Sequence, residues 1–312
     1  MSQPLKLVFC GTPAFAVPTL EKLFDAGFSV SFVVTQPDRP RGRGMELAPS
    51  PVKQKALEFG LPIMQPERIK DNQEFRARLA AIQPDAIIVV GYGRIVPQWM
   101  IDLPRFGNIN LHTSLLPKYR GAAPIQWAIA RGETITGVTT MQIDAGLDTG
   151  DILLQKEVSI SPEDSAESLS TRLAGIGAEL MIETLEGLLS GTVHPRPQDH
   201  SQATFAPTLK KEDGRIDFHL GAQEIWNRLR GFQPWPGAFT SLRGKNLSVW
   251  DARPVEKKAE PGELMIEDNH FVVGCGDRTS LELLVVQPEG KRRMAARDFI
   301  QGYRPCSGER LG

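Results

Sequence analysis

The chain has 312 residues, more than one ordinary domain uses, so two domains are expected and each is long enough to bury a core. With 41% hydrophobic and 23% charged residues it is composed like a globular protein rather than a disordered one, and its longest apolar run, "DAIIVVGYG", is too short to span a bilayer. A formal net charge of −1 excludes blanket electrostatic attraction to nucleic acid and leaves only local basic patches.

The N-terminal "MSQPLKLVFCGTP" lacks the long apolar region of a secretory signal and reads as the first strand of a cytoplasmic protein. Strand-like "LKLVFCGT", "SVSFVVTQ", "LPIMQP", "DAIIVVGY", "GNINLHTS" and "GVTTMQID" alternate with helix-like "AVPTLEKLFDAG", "SPVKQKALEFG", "NQEFRARLAAIQ" and "APIQWAIARG". That alternation predicts βαβ units: an α/β, doubly wound, mostly parallel sheet covered by helices on both faces. "SAESLSTRLAGIGAELMIETLEGLLSG" then repeats its apolar residues at three and four and stops at Gly191, as a long helix would. "TVHPRPQDHSQATFAP" has no apolar period and reads as a linker, which divides the chain into a first domain 1–191, a linker 192–206 and a second domain 207–312. There a helix, "AQEIWNRLRGF", precedes five short strands, "AFTSL", "NLSVWDARPV", "GELMIED", "HFVVGCG" and "SLELLVVQP", which suggest a small OB-like β-barrel. Trp226, Phe232, Trp235 and Trp250 are expected in its core, because aromatic rings dominate small cores.

Two stretches carry chemistry. In "GNINLHTS" the period of two puts Asn108, Asn110, His112 and Ser114 on one face, where a parallel sheet normally has apolar residues. Such a polar row needs partners or a ligand, and Asn110 and His112 approach the strand's carboxyl end, where open α/β sheets bind ligands. The second stretch, "QIDAGLDTGDI", holds Asp144, Asp148 and Asp151 among glycines without the spacing of a calcium loop, so no metal is expected. Following a strand of the same sheet, it is expected to emerge at the same end as His112, where an aspartate would stabilise an imidazolium. Cys10, Cys275 and Cys306 are too few and too far apart for a disulfide framework or a zinc site. "FCGTPAFAVPTL" lacks the three glycines of a dinucleotide fingerprint.

Taken together, "FCGTPAFA", "NLHTSLLPKYRGAAPIQWAI", "GVTTMQIDAGLDTGDIL" and "RGFQPWPGAF" resemble the methionyl-tRNA formyltransferase family of the folate-dependent formyltransferases over essentially the whole chain. The resemblance implies a Rossmann-like catalytic domain and an OB-like tRNA-binding domain. It implies a donor, 10-formyltetrahydrofolate, and an acceptor, the α-amino group of methionyl initiator tRNA, with no metal, no membrane and a monomeric chain. Asn110, His112 and Asp148 match the family's catalytic residues, and Ser114, Leu115, Leu116 and Pro117 match its folate-binding segment. Contact with tRNA is expected from Arg41 and Arg43, in a loop over 36–53 that also holds Arg39, and from Lys291, Arg292 and Arg293, with Arg297 nearby. That loop departs from the commoner pattern, with Met45 and Glu46 where many relatives have two lysines. The same catalytic trio would serve a formyltransferase for glycinamide ribonucleotide or a sugar-nucleotide amine, and a noncatalytic RNA- or folate-binding protein is the rival from a different class.

Overall fold

The structure is a computed structural model that describes residues 5–41 and 46–312. In chain order its first elements are β1 (Lys6–Gly11), α1 (Val17–Asp25), β2 (Ser29–Val34), β3 (Arg39–Arg41), β4 (Glu46–Ala48), α2 (Pro51–Glu58) and β5 (Ile63–Met64). There follow α3 (Gln73–Ile82), β6 (Ala86–Val90), α4 (Gln98–Ile101), β7 (Asn108–His112), α5 (Pro124–Ala130), β8 (Ile135–Gln142), β9 (Ile152–Ser159) and α6 (Ala166–Ser190). The chain ends with α7 (Ala222–Phe232), β10 (Ala238–Leu242), β11 (Lys245–Val255), β12 (Leu264–Glu267), β13 (His270–Gly274), β14 (Ser280–Pro288), β15 (Met294–Ala295) and α8 (Ala296–Tyr303).

Two compact units form, and they do not follow chain order. The first takes residues 1–121, 135–159 and 170–205; the second takes 122–134, 160–169 and 206–312. In the first unit seven strands run in the order β5-β2-β1-β6-β7-β8-β9. The first five are parallel, whereas β8 is antiparallel to β7 and β9 to β8. β1 and β6 bury nearly every residue, as parallel strands do under helices on both sides. One face packs Val8, Cys10, Phe32, Val34, Ile87 and Val89 against Phe75 and Leu79. α3 presents those two residues because Asn72 caps it, its Oδ1 accepting the Phe75 N–H at 2.9 Å. Burying a ring such as Phe75 contributes roughly 1.5–3 kcal/mol. Cys10, sealed in the same layer, has its thiol pKa pushed up by burial, which leaves it an inert core residue.

α6 matches the predicted long helix and stops where expected, at Gly191 with φ +70°. It covers the sheet face that carries Leu111. Its Gly177 lies so close that a Cβ there would meet Leu111 Cδ2 at 2.6 Å. The opposite face of β7, with Asn110 and His112, is thereby left for the loops.

The second unit is a six-stranded antiparallel sheet, β10-β11-β14-β13-β12 with β15 on β14. Residues 310 and 311 join its two edges, Leu311 bridging Leu242 at the end of β10 and Arg310 bridging Glu263 just before β12. Its core gathers Ile225, Leu229, Val249, Leu264, Phe271, Leu281, Leu283 and Phe299. α5 packs on α7 in this unit, with the Trp127 ring edge-on to Phe232 at 5.3 Å. Among the expected core aromatics, Phe232 is buried and Trp226 half-buried, but Trp235 is 56% exposed. It stands between Pro234 and Pro236 in the turn joining α7 to β10, outside either element's apolar pattern.

Candidate active site

β7 spends its polar positions in three different ways. Asn108 is fully buried, and its Nδ2 donates to the carbonyls of Met100 (2.8 Å) and Ile101 (3.2 Å), so it closes the end of α4. Asn110 is half-buried, and among the described residues its amide has no hydrogen-bond partner in its surroundings. His112 is 6% exposed, with Nε2 2.9 Å from the Tyr119 carbonyl oxygen. A carbonyl only accepts, so Nε2 carries the hydrogen and the tautomer is set by this partner. Nδ1 is therefore the nitrogen free to exchange a proton, and it lies 3.7 Å from Asp148 Oδ2.

Asp148 does reach His112, but by a different route from the expected one. Because β8 is antiparallel to β7, Gln142 pairs with Ile109 and the loop 143–151 leaves near the start of β7, not beside His112. The loop then folds back. Asp144 organises its first turn, accepting from the Gly146 N–H (3.0 Å) and the Thr149 hydroxyl (2.7 Å), which makes it structural. Asp148 sits at φ +52°, and its Oδ2 also accepts the Gly121 N–H at 2.7 Å. Gly150 lets the loop close: a Cβ there would lie 1.9 Å from the Gln142 carbonyl oxygen.

The segment 114–117 is partly scaffold. The Ser114 hydroxyl donates to the Lys118 carbonyl (2.6 Å) and the Ser114 carbonyl accepts from Thr139 Oγ1 (2.6 Å). Leu116 is buried with Met141 and Ile152, while Leu115 and Pro117 keep some exposed surface. Leu115 packs against Gly137 of β8.

A cleft of about 660 Å³ is lined by Arg68, Lys70, Arg94, Ile95, Val96 and Pro97 among others, with Ala145 from the Asp148 loop; Asn110, His112, Asp148 and residues 114–117 are not part of its lining. It lies beyond the carboxyl end of β6. The strand order reverses between β1 and β6, and open α/β sheets bind ligands at such a switch point. Gln36 ties the adjoining loops, its Nε2 donating to the Tyr92 carbonyl at 2.8 Å. The sequence alone does not reveal this cleft, because its lining comes from three separate stretches, 68–71, 93–101 and Ala145, with no shared motif.

The basic residues fall in two places. Arg41 ends β3, which pairs with β4, and Arg43 lies outside the described residues, as does Met45. Lys291, Arg292 and Arg293 are exposed on the turn between β14 and β15, and the Arg293 guanidinium lies 3.1 Å from the centre of the Trp250 ring.

The formyl transferase family profile matches residues 5–185, and the formyl transferase C-terminal domain profile matches 208–304. A methionyl-tRNA formyltransferase of Koribacter versatilis is 67% identical over 306 residues, covering 98% of each chain. One of Acidobacterium capsulatum is 61% identical, covering 99% of this chain and 100% of its own. Among solved structures, the sugar 3N-formyl transferase WlaRD, crystallised with dTDP and 5-N-formyl-THF, shares the fold with a TM-score of 0.68 at 19% identity, over 93% of this chain and 100% of its own. With both domain profiles matched and relatives of this identity along nearly its whole length, the chain belongs to the formyl transferase family, among the methionyl-tRNA formyltransferases.

Proposed function

We propose that this protein transfers the formyl group of 10-formyltetrahydrofolate to the α-amino group of methionyl initiator tRNA. The observation that carries the reading is the meeting of His112 Nδ1 with Asp148, on the sheet face that bears an Asn110 amide with no partner among the described residues; the Asp148 loop also sends Ala145 to the wall of a ligand-sized cleft. Methionyl-tRNA as the acceptor is supported by the names of the relatives at 61% and 67% identity; its α-amino group and the initiator species are this reading's own step. The cleft fits the donor: Ile95, Val96 and Pro97 suit a planar ring system, and Arg68, Lys70 and Arg94 suit carboxylates. When bound, the donor supplies a formyl carbon attached to a nitrogen that can leave.

The chain's own residues then have distinct tasks. The Asn110 amide donates to the oxygen that gains negative charge as the neutral amine attacks the formyl carbon. His112 Nδ1 takes the proton the amine gives up, while its Nε2–H stays on the Tyr119 carbonyl. Asp148 faces the imidazolium so formed and stabilises it. That cation returns its proton to the departing carrier nitrogen, so one C–N bond forms, one breaks and the proton balance closes. Arg41, Arg43, Lys291, Arg292 and Arg293 are assigned to tRNA phosphates; of the segment 114–117, Leu115 and Pro117, which keep exposed surface, are assigned to the folate side of the site, and the buried Ser114 and Leu116 to the turn that presents them. The setting is the cytoplasm, and the active form is a monomer.

The test mixes the purified protein with 10-formyltetrahydrofolate and either methionyl initiator tRNA or free methionine. Formyl-methionine released only from the tRNA supports the reading. Transfer to neither, with folate binding intact, would move the acceptor to a sugar-nucleotide amine.

A further inference from the structure

The stretch read as a linker does more than connect. Residues 196–204 run along the first unit as a strap: Arg196 and Ile152 exchange backbone hydrogen bonds at 2.8 and 2.9 Å, and the Thr204 carbonyl accepts the Arg120 N–H at 2.9 Å. Between these two anchors lies Gln198, 6% exposed. Its Nε2 donates to the carbonyl of Asp148 (3.0 Å) and to that of Gly150 (2.6 Å). Its Oε1 accepts from Arg120 Nε (3.1 Å) and Nη2 (2.6 Å), which fixes the orientation of the amide. Arg120 is itself buried, and its Nη2 also donates to His200 Nδ1 at 3.0 Å.

The neighbours of Arg120 give this arrangement its meaning. Tyr119 holds His112 through its carbonyl, and its own N–H is held by the Thr204 hydroxyl at 2.9 Å. Gly121 holds the Asp148 carboxylate through its N–H. Three consecutive residues thus set the imidazole, the strap and the carboxylate. Asp148 needs that hold, since its backbone occupies a left-handed conformation that non-glycine residues seldom adopt.

We propose that Gln198, oriented by Arg120, is a positioning residue for the reaction: it clamps the two carbonyls flanking the bend of the catalytic loop and so keeps the Asp148 carboxylate against His112. The inference rests on the proposed role of Asp148. A misplacement of about 1 Å at a reacting group costs about 10²-fold in rate. Neither Gln198 nor Arg120 lines the donor cleft, so the loss falls on kcat, with KM for donor and tRNA little changed.

The experiment measures single-turnover formyl transfer in the full-length protein for Gln198→Ala and Gln198→Glu, each alone and combined with Asp148→Asn. Gln198→Glu keeps the volume and pairs with Arg120 but has no donor for the two carbonyls, so it tests the clamp in a folded protein even where alanine weakens the fold. Each single Gln198 variant is expected to lose about 10- to 10²-fold in rate. In the Asp148→Asn background the same change is expected to cost less than about 2-fold, because residues that act as a unit are not additive. Equal losses in both backgrounds, or a full rate for Gln198→Glu, would overturn the positioning role. An Asp148→Asn protein as fast as the parent would instead overturn the assignment of Asp148 itself.

Discussion

Replacing Gly150 by alanine probes whether the back-folded loop delivers the chemistry. The added Cβ would stand 1.9 Å from the Gln142 carbonyl oxygen and 2.9 Å from its carbonyl carbon, whereas real Cβ contacts essentially never fall below 3.0 Å. The atom in the way is backbone of β8, which is fixed in the sheet by β7 on one side and β9 on the other. The loop must therefore retreat by about 1 Å, and Asp148, two residues away, moves with it. On the relation between misplacement and rate, formyl transfer falls by about 10²-fold. The assay is single-turnover transfer at saturating donor and tRNA, with a melting curve for each protein. Gly191→Ala is the control: its φ of +70° makes alanine strained, by about 1 kcal/mol, but nothing lies near its Cβ and it ends α6 away from the site. A Gly150→Ala protein that keeps its rate, or loses no more than Gly191→Ala does, would refute the claim that loop closure at Gly150 places the carboxylate.

Asn110→Ala and His112→Ala are each expected to lower the transfer rate by about 10²–10³-fold while donor binding, followed by titration, changes much less; parallel losses in both would remove the oxyanion role. Replacing Lys291, Arg292 and Arg293 together by alanine is expected to flatten the dependence of tRNA affinity on salt by about 0.9 log units per log unit for each phosphate no longer engaged, and an unchanged slope would take that turn out of the interface. In the second unit burial works to raise the Glu282 pKa, but hydrogen bonds from His270 and Arg253 outweigh it and hold the carboxyl below its ordinary 4.5. A carboxyl depressed in the folded state stabilises the fold above its unfolded pKa and loses that stabilisation as pH falls through the folded value. Unfolding free energy should therefore drop below about pH 4.5, and Glu282→Gln should lessen that drop; an unaltered acid profile would count against the triad.

The sheet was legible because its strands are apolar runs punctuated by glycine and proline, and "LKLVFCGT" and "DAIIVVGY" match β1 and β6 closely. Strand direction was not legible. "GVTTMQID" has the same β-branched, buried character whichever way it runs, so nothing local distinguishes an antiparallel β8. α5 shows the same limit: its apolar face is visible in "APIQWAIARG", but not that it packs on α7, more than ninety residues along the chain. In the site, the period of two puts Asn110 and His112 on one face, yet it cannot separate them from Asn108, which closes α4, or from Ser114, which ties its own turn. Gln198 was hidden for a further reason. A glutamine among prolines and polar residues has the composition of a linker, and only its two buried carbonyl partners set it apart.

The reversed strand also explains why a strap is needed at all. Had β8 run parallel to β7, the following loop would emerge beside His112 and a short turn would suffice to present a carboxylate. Running the other way, the chain leaves the sheet by Asn108 and must return across the polar face to set Asp148 against Nδ1. A returning loop cannot borrow its course from the sheet ladder, so its carbonyls need other donors. Gln198 supplies two of these hydrogen bonds and the Gly121 N–H secures the carboxylate. The residues that hold the site thus come from 119–121 and 196–204, far apart in the chain, while the groups assigned to the chemistry sit on β7 and one loop. On this argument, shortening 196–204 would lower the transfer rate before it disturbed the sheet, because the ladders of β1, β6 and β7 do not depend on it.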